Sequence, residues 1–243
     1  MRKISLSILM LAPLITFAQG QVTRPVKERQ QTEVNNEKTN INSKVKETSK
    51  NTRKVEYISS PDGFINGHGY VDLGLPSGTK WAVADMGHVE APDNMPDYYY
   101  WGGLQKYMQY GMIVDIDAPK IANLKNNSMF NVVQQIWGEN WTIPSKEQWE
   151  ELVKYCIFKW TKFGNSGGGF RITGPSQESI FIPAISIEVT KGDWKSIGHY
   201  WTSDSYSTED AYCFYIDEDL EHIIQVAEKK RPLMIRPVLV NNK

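Results

Sequence analysis

A mixed α+β domain is the fold class this sequence predicts, and three observations predict it. Residues 145–156 carry the periodicity of one amphipathic helix with its own start signal. Residues 128–136 carry a second, shorter helical pattern. Around them, short apolar and aromatic runs alternate with Gly, Pro, Asn and Asp, as short strands joined by turns do. The expected architecture is two main helices among many short antiparallel strands and long loops. The chain has 243 residues, 40% hydrophobic, with 8 Trp and 12 Tyr, enough for one domain with a substantial core.

Residues 1–18 read as a signal peptide. Arg2 and Lys3 form the charged start, residues 4–17 are largely apolar, and Thr16 and Ala18 are the small residues that precede a cut. The apolar run falls short of the ~20 residues of a comfortable membrane span. No Cys lies near the cut to carry a lipid, and no later stretch reads as a transmembrane segment. The chain is therefore expected to be exported to the periplasm, the cell surface or beyond.

Residues 19–56 are polar, with isolated valines and no aromatic residue before Tyr57. Such a segment has no face to bury against the ordering entropy of roughly 1–2 kcal/mol per residue, so a disordered spacer is expected. It holds nine Lys/Arg against five Glu, whereas residues 57–243 hold 16 Lys/Arg against 23 Asp/Glu. A body with that acidic excess is poorly suited to nucleic acid, whose affinity comes from clustered cations.

Composition changes at Tyr57, where the domain of residues 57–243 begins. A first strand is expected over 57–60 with a turn at 61–63, then a hairpin of 70–73 and 80–84 about the turn Leu75-Pro76-Ser77-Gly78-Thr79. Residues 105–127 show no period and read as a variable surface insertion. In the helical pattern of 128–136, Met129, Val132, Val133 and Ile136 share a face, and Gly138 ends it. In the clearer helix, Ser145 and Gln148 form a capping box, and Trp149, Leu152, Val153 and Cys156 form one apolar face. Further strands are expected at 170–173, 179–183, 185–189, 200–203, 212–216, 222–227 and 233–240.

Several stretches together resemble a known family. They are Tyr70-Val71-Asp72-Leu73-Gly74-Leu75-Pro76-Ser77-Gly78-Thr79-Lys80-Trp81, Tyr99-Tyr100-Trp101-Gly102, Trp141-Thr142-Ile143-Pro144-Ser145, Ser179-Ile180-Phe181-Ile182-Pro183-Ala184, Gly198-His199-Tyr200-Trp201-Thr202-Ser203 and Ile235-Arg236-Pro237-Val238. In that order, over about residues 66–240, they resemble the Fibrobacter succinogenes major paralogous domain family, abundant in secreted and surface proteins of Bacteroidetes-type bacteria. The resemblance implies a C-type-lectin-like fold in which the Trp-x-x-Pro-Ser pattern leads into the main helix. It implies architecture more than activity.

The candidate sites follow from the residues. Cys156 and Cys213 are two cysteines in a chain expected to be exported, so either one disulfide or two buried thiols is open. Flat aromatics beside carboxylates and amides suit a sugar ring. The candidate ligand site is Tyr99, Trp194, Asp193 and Asp204, with Asp93 and Asn94 at its edge, on the loops of 92–100, 102–127 and 191–206. The sugar-binding triplets of calcium lectins are absent. The run Asp217-Glu218-Asp219-Leu220-Glu221 suits a hard cation or, more simply, a solvated turn. His68, His88, His199 and His222 lack zinc spacing. No nucleophile or phosphate-loop motif occurs, and Ser203 and Asp204, adjacent on a strand, point apart. The expected function is an exported, non-enzymatic module binding a glycan or a surface protein, against an enzyme acting on carbohydrate or peptide, or a structural subunit of a surface assembly.

Overall fold

The computed structural model describes residues 59–87, 96–107, 116–125, 127–162 and 167–240. Every described residue belongs to one compact unit within Asn51–Lys243. The expected leader and spacer lie outside the described residues.

The described elements are β1 (Gly63–Ile65), β2 (His68–Asp72), β3 (Lys80–Ala82), α1 (Val132–Trp137), β4 (Trp141–Thr142), α2 (Lys146–Tyr155), β5 (Ile157–Lys162), β6 (Gly167–Thr173), β7 (Ser179–Thr190), β8 (Asp193–Ser205), β9 (Asp210–Asp217), β10 (His222–Glu228) and β11 (Val238–Leu239). They form a five-stranded sheet in the order β1-β2-β3-β11-β4 and a six-stranded sheet in the order β10-β9-β8-β7-β6-β5. Every strand pairing is antiparallel.

This corrects the expected α+β class with two main helices. The molecule is mostly β, and the helices are 6 and 10 residues long. Helix periodicity is conspicuous over a few turns, whereas strand signals are weak one by one, so the helices were overweighted. The earlier helical pattern begins only at Val132, behind the cap Asn131, and Met129 and Ile136 are exposed rather than core. Residues 179–189, expected as two strands ending at Pro183, run through it as one, Pro183 pairing with Gly169 and its carbonyl accepting from the Tyr200 hydroxyl at 2.5 Å. The strands β1, β4 and β5 were not anticipated, β1 lying where a turn was expected to follow a strand at 57–60.

The local signals that held are those a few residues can supply. Ser145 caps α2, with both halves of the capping box present, and Trp149 and Leu152 are buried beneath it. The turn before β3 is tied to the same helix: Glu151 accepts from the Ser77 backbone at 2.8 Å and from its hydroxyl at 2.5 Å.

The central strands are covered on both faces. Adjacent residues on a strand point to opposite faces, so Trp81, Val238, Tyr200 and Phe214 enter one apolar cluster while Ala82, Leu239, Trp201 and Cys213 enter the other. A buried ion pair joins the sheets. Arg236 Nε donates to Asp85 Oδ1 at 2.6 Å, and its other nitrogens donate to the carbonyls of Ala82 and Phe181, one on each sheet. The Tyr200 hydroxyl, whose proton the Pro183 carbonyl shares, also lies 3.2 Å from the second Asp85 oxygen. Lys229, fully buried, places its ammonium 4.4 Å from the Trp101 ring centroid and donates to the carbonyls of Ser207 and Thr208. No helix among the described residues is long and apolar enough to cross a membrane.

Candidate functional site

The site with the clearest geometry is a cleft of about 680 Å³ between the β1–β2 hairpin, the segment after β3, residues 97–106 and the end of α1. Its construction begins with Asn66-Gly67. Ile65 pairs with His68, and the two residues between them have φ of 53° and 82°, as a type I′ turn requires. The Asn66 side-chain amide donates to the Trp137 carbonyl at 2.9 Å, and the Trp141 indole donates to the Ile65 carbonyl at 3.1 Å. The hairpin tip is thereby pinned to the end of α1. His68 consequently lies flat on Trp137, the rings 3.7 Å apart and within 5° of parallel.

Gly69 lies on the floor, where Pro61 and Val83 pack so close that a Cβ would come within 3.0 Å of the Pro61 Cβ and 3.1 Å of the Val83 Cγ2. Three large apolar side chains surround it: Phe64 from β1, Leu104 from the segment after Trp101, and Ile136 from α1. They are 65%, 46% and 58% exposed. One wall is polar. The Tyr99 hydroxyl donates to Asp97 at 3.4 Å, and Lys106 stands 3.5 Å from the other Asp97 oxygen. Burial lowers the His68 imidazole from its ordinary range, which favours the neutral form of the stacked ring. Burial, then the Asp97 charge, raises the Tyr99 hydroxyl well above the ordinary range, so it stays protonated as a donor.

The residues expected to form one ligand site are not brought together. Tyr99 is at the cleft but almost wholly buried, its backbone paired in both directions with Leu233. Trp194 and Asp193 are exposed at the far end of β8. Asp204 lies ten residues further along the same strand, which at ~3.3 Å per residue is about 33 Å, too far for a sugar ring to bridge. Asp204 also has a structural task, accepting from the Lys146 backbone at the start of α2 at 2.7 Å and from the Asn123 amide. Asp93 and Asn94 lie outside the described residues.

The disulfide alternative is corrected. Both cysteines are free. Phe214 stacks on Trp149 of α2 at 4.4 Å, so its strand neighbour Cys213 points to the opposite face and away from Cys156 at the helix end. Burial pushes the two thiols up, to about 11 for Cys156 and about 12 for Cys213.

Among the described residues, no group of three or more His, Cys, Asp or Glu side chains is placed so that it could hold a metal ion. In the acidic run, Asp217 is buried and accepts from the Tyr215 hydroxyl at 2.9 Å and the Glu221 backbone at 3.0 Å, while Asp219 pairs with Lys195. Leu220, at φ 75°, makes the turn between β9 and β10.

Sequence reasoning missed Phe64, Leu104 and Ile136. Asn66-Gly67 between two short apolar runs was the available hairpin signal. In comparisons with known proteins, no protein-family model, no curated protein and no solved structure matches the chain.

Proposed function

We propose that this chain is an exported, non-catalytic binding module whose cleft holds an apolar segment of a partner protein. The observation that carries the reading is the convergence of Phe64, Leu104 and Ile136, exposed from three separate elements, on one hollow. Covering such side chains is worth ~1.5–3 kcal/mol each when fully achieved, and folding leaves that free energy for a ligand. The titratable groups of the cleft fit holding better than reacting: His68 is stacked face to face, and Asp97 is engaged by Tyr99 and Lys106. The motif resemblance to the major paralogous domain family, and the leader-like residues 1–18, support placement outside the cytoplasm.

A glycan is the second reading. Phe64 offers an open ring face, with the Asp97–Lys106 pair in the same cleft to meet hydroxyls.

The experiment is ligand binding followed by fluorescence, with anilinonaphthalene sulfonate and an apolar peptide library in one arm and neutral oligosaccharides in the other. Ile136→Lys is expected to abolish peptide and dye binding while leaving the melting temperature in place. Oligosaccharide binding lost in Phe64→Ala, with no peptide binding, would transfer the assignment to the second reading. Dye and peptide binding unaffected by Ile136→Lys would remove the cleft from consideration.

A further inference from the structure

The largest exposed aromatic side chain among the described residues stands on a projection, not in the cleft. Pairing of β6 with β7 ends at Gly167 and Ile185, and pairing of β9 with β8 ends at Ile197 and Asp217. Past those points β7 and β8 pair with each other, Ser186 with Ser196, Ile187 with Lys195, Glu188 with Trp194 and Thr190 with Asp193. Five residues of strand at ~3.3 Å each carry this ribbon about 16 Å past the body of the sheet. A bulge falls between Glu188 and Thr190, and Gly192, at φ 83°, closes the tip. Two contacts steady the base, Lys195 to Asp219 at 2.6 Å and the Glu218 backbone N–H to the Ser196 carbonyl at 3.1 Å.

A free two-stranded ribbon is marginal in water, and this one holds Trp194 59% and Val189 41% exposed. Exposed apolar surface concentrated on a projection marks a contact to be made. Trp194 is not in its own cleft, since it is exposed in the folded chain.

We propose that the ribbon of one copy of this chain seats Trp194 in the cleft of a second copy. The inference rests on the reading of the cleft as a site for an apolar protein segment and names that segment. The two surfaces are complementary in shape, a projection tipped by an indole and a hollow of about 680 Å³ ringed by Phe64, Leu104 and Ile136. Neither is set against the other in charge. Lys191 and Asp193, both exposed, flank the tip glycine with one charge of each sign, and the cleft carries the paired Asp97 and Lys106, again one of each. Because projection and hollow are different surfaces of one chain, the contact is head-to-tail. Each added copy offers a fresh ribbon or a fresh cleft, so association continues past the dimer unless the rotation closes a ring.

The test is complementation, read by sedimentation velocity on the full chain from micromolar to near-millimolar concentration. The wild type is expected to grow with concentration. Trp194→Ala removes the ribbon's contact and keeps the cleft, whereas Ile136→Lys does the reverse. Each alone is expected to associate at least about 30-fold more weakly, the loss typical of a central Trp anchor. Mixed in equal amounts, they are expected to form a heterodimer and nothing larger. Circular dichroism verifies that both variants fold. A wild type that is monomeric throughout overturns the inference, as does Trp194→Ala associating like the wild type, or a mixture that stays monomeric while the wild type grows. If the wild type is monomeric yet binds anilinonaphthalene sulfonate in an Ile136-dependent way, self-association falls and the cleft reading stands. Loss of that dye binding as well would remove both.

Discussion

The two ends of β8 belong to one strand and have opposite fates. From Tyr200 to Asp204 every described side chain is buried or bonded. The Tyr200 hydroxyl reaches Asp85 and Pro183, the Trp201 indole donates to the Tyr99 carbonyl at 2.7 Å, Thr202 donates to Tyr212 at 3.0 Å, and Asp204 holds the start of α2. From Asp193 to Trp194 the side chains are exposed and one neighbouring strand is all they have. What separates the ends is the number of partner strands, since both are aromatic and acidic in composition. Composition alone therefore cannot tell an anchor from a free contact, and it is the anchored end that is intolerant of change.

The strongest way to break this comparison is at the anchored end. Asp85→Ala leaves Arg236 buried and without its carboxylate, and is expected to cost about 3–5 kcal/mol in chemical denaturation. A cost under 1 kcal/mol would mean that the pair does not tie the sheets.

Midway along β8, His199 sharpens it through pH. Burial, then the nearby Arg231, holds its imidazole down to about 4. The neutral ring is the form the fold favours, so its contribution is present above the unfolded value of ~6.5 and is lost as pH falls from there through about 4. The loss should be on the order of 3 kcal/mol, and His199→Gln should flatten the profile over that window. A wild-type profile no steeper than that of the variant would place the imidazole in contact with water.

Asp204→Ala removes one acceptor from the first turn of α2 and is expected to cost ~1 kcal/mol, as loss of a cap does. The smallest effect belongs to the free end, where Trp194→Ala should stay within about 0.5 kcal/mol of the wild type. If Trp194→Ala costs more than Asp204→Ala in dilute monomer, the two ends are not different in kind.

What was legible in the sequence follows the range of the interaction. The α2 cap needs only Ser145 and Gln148, three residues apart, and was read directly. The burial of Trp149 was also read, because it opens the apolar face of the same helix. The class of fold was misread because each short strand signals weakly on its own while helical periodicity stands out, and even within α1 Val132 is core and Ile136 lines the cleft. Helical spacing says which residues share a face, not what the face meets. The site was misread for a related reason. Closeness in loops was taken for closeness in space, whereas an extended strand sets Trp194 and Asp204 far apart, and Phe64, Leu104 and Ile136 meet only through the tertiary fold.

The position of β11 bears on the order in which the chain is made. Val238 pairs with Trp81 of β3 on one side and Thr142 of β4 on the other, so a strand synthesised late sits in the interior of its sheet. Arg236, which locks the sheets together, follows Ala82 by 154 residues. While a ribosome is still making the intervening chain, β2 and β3 have an open edge and Asp85 has no guanidinium. Contacts of such sequence separation are slow to close. The sheet centred on β11 and the tie between the two sheets are therefore complete only once the end of the chain has been made.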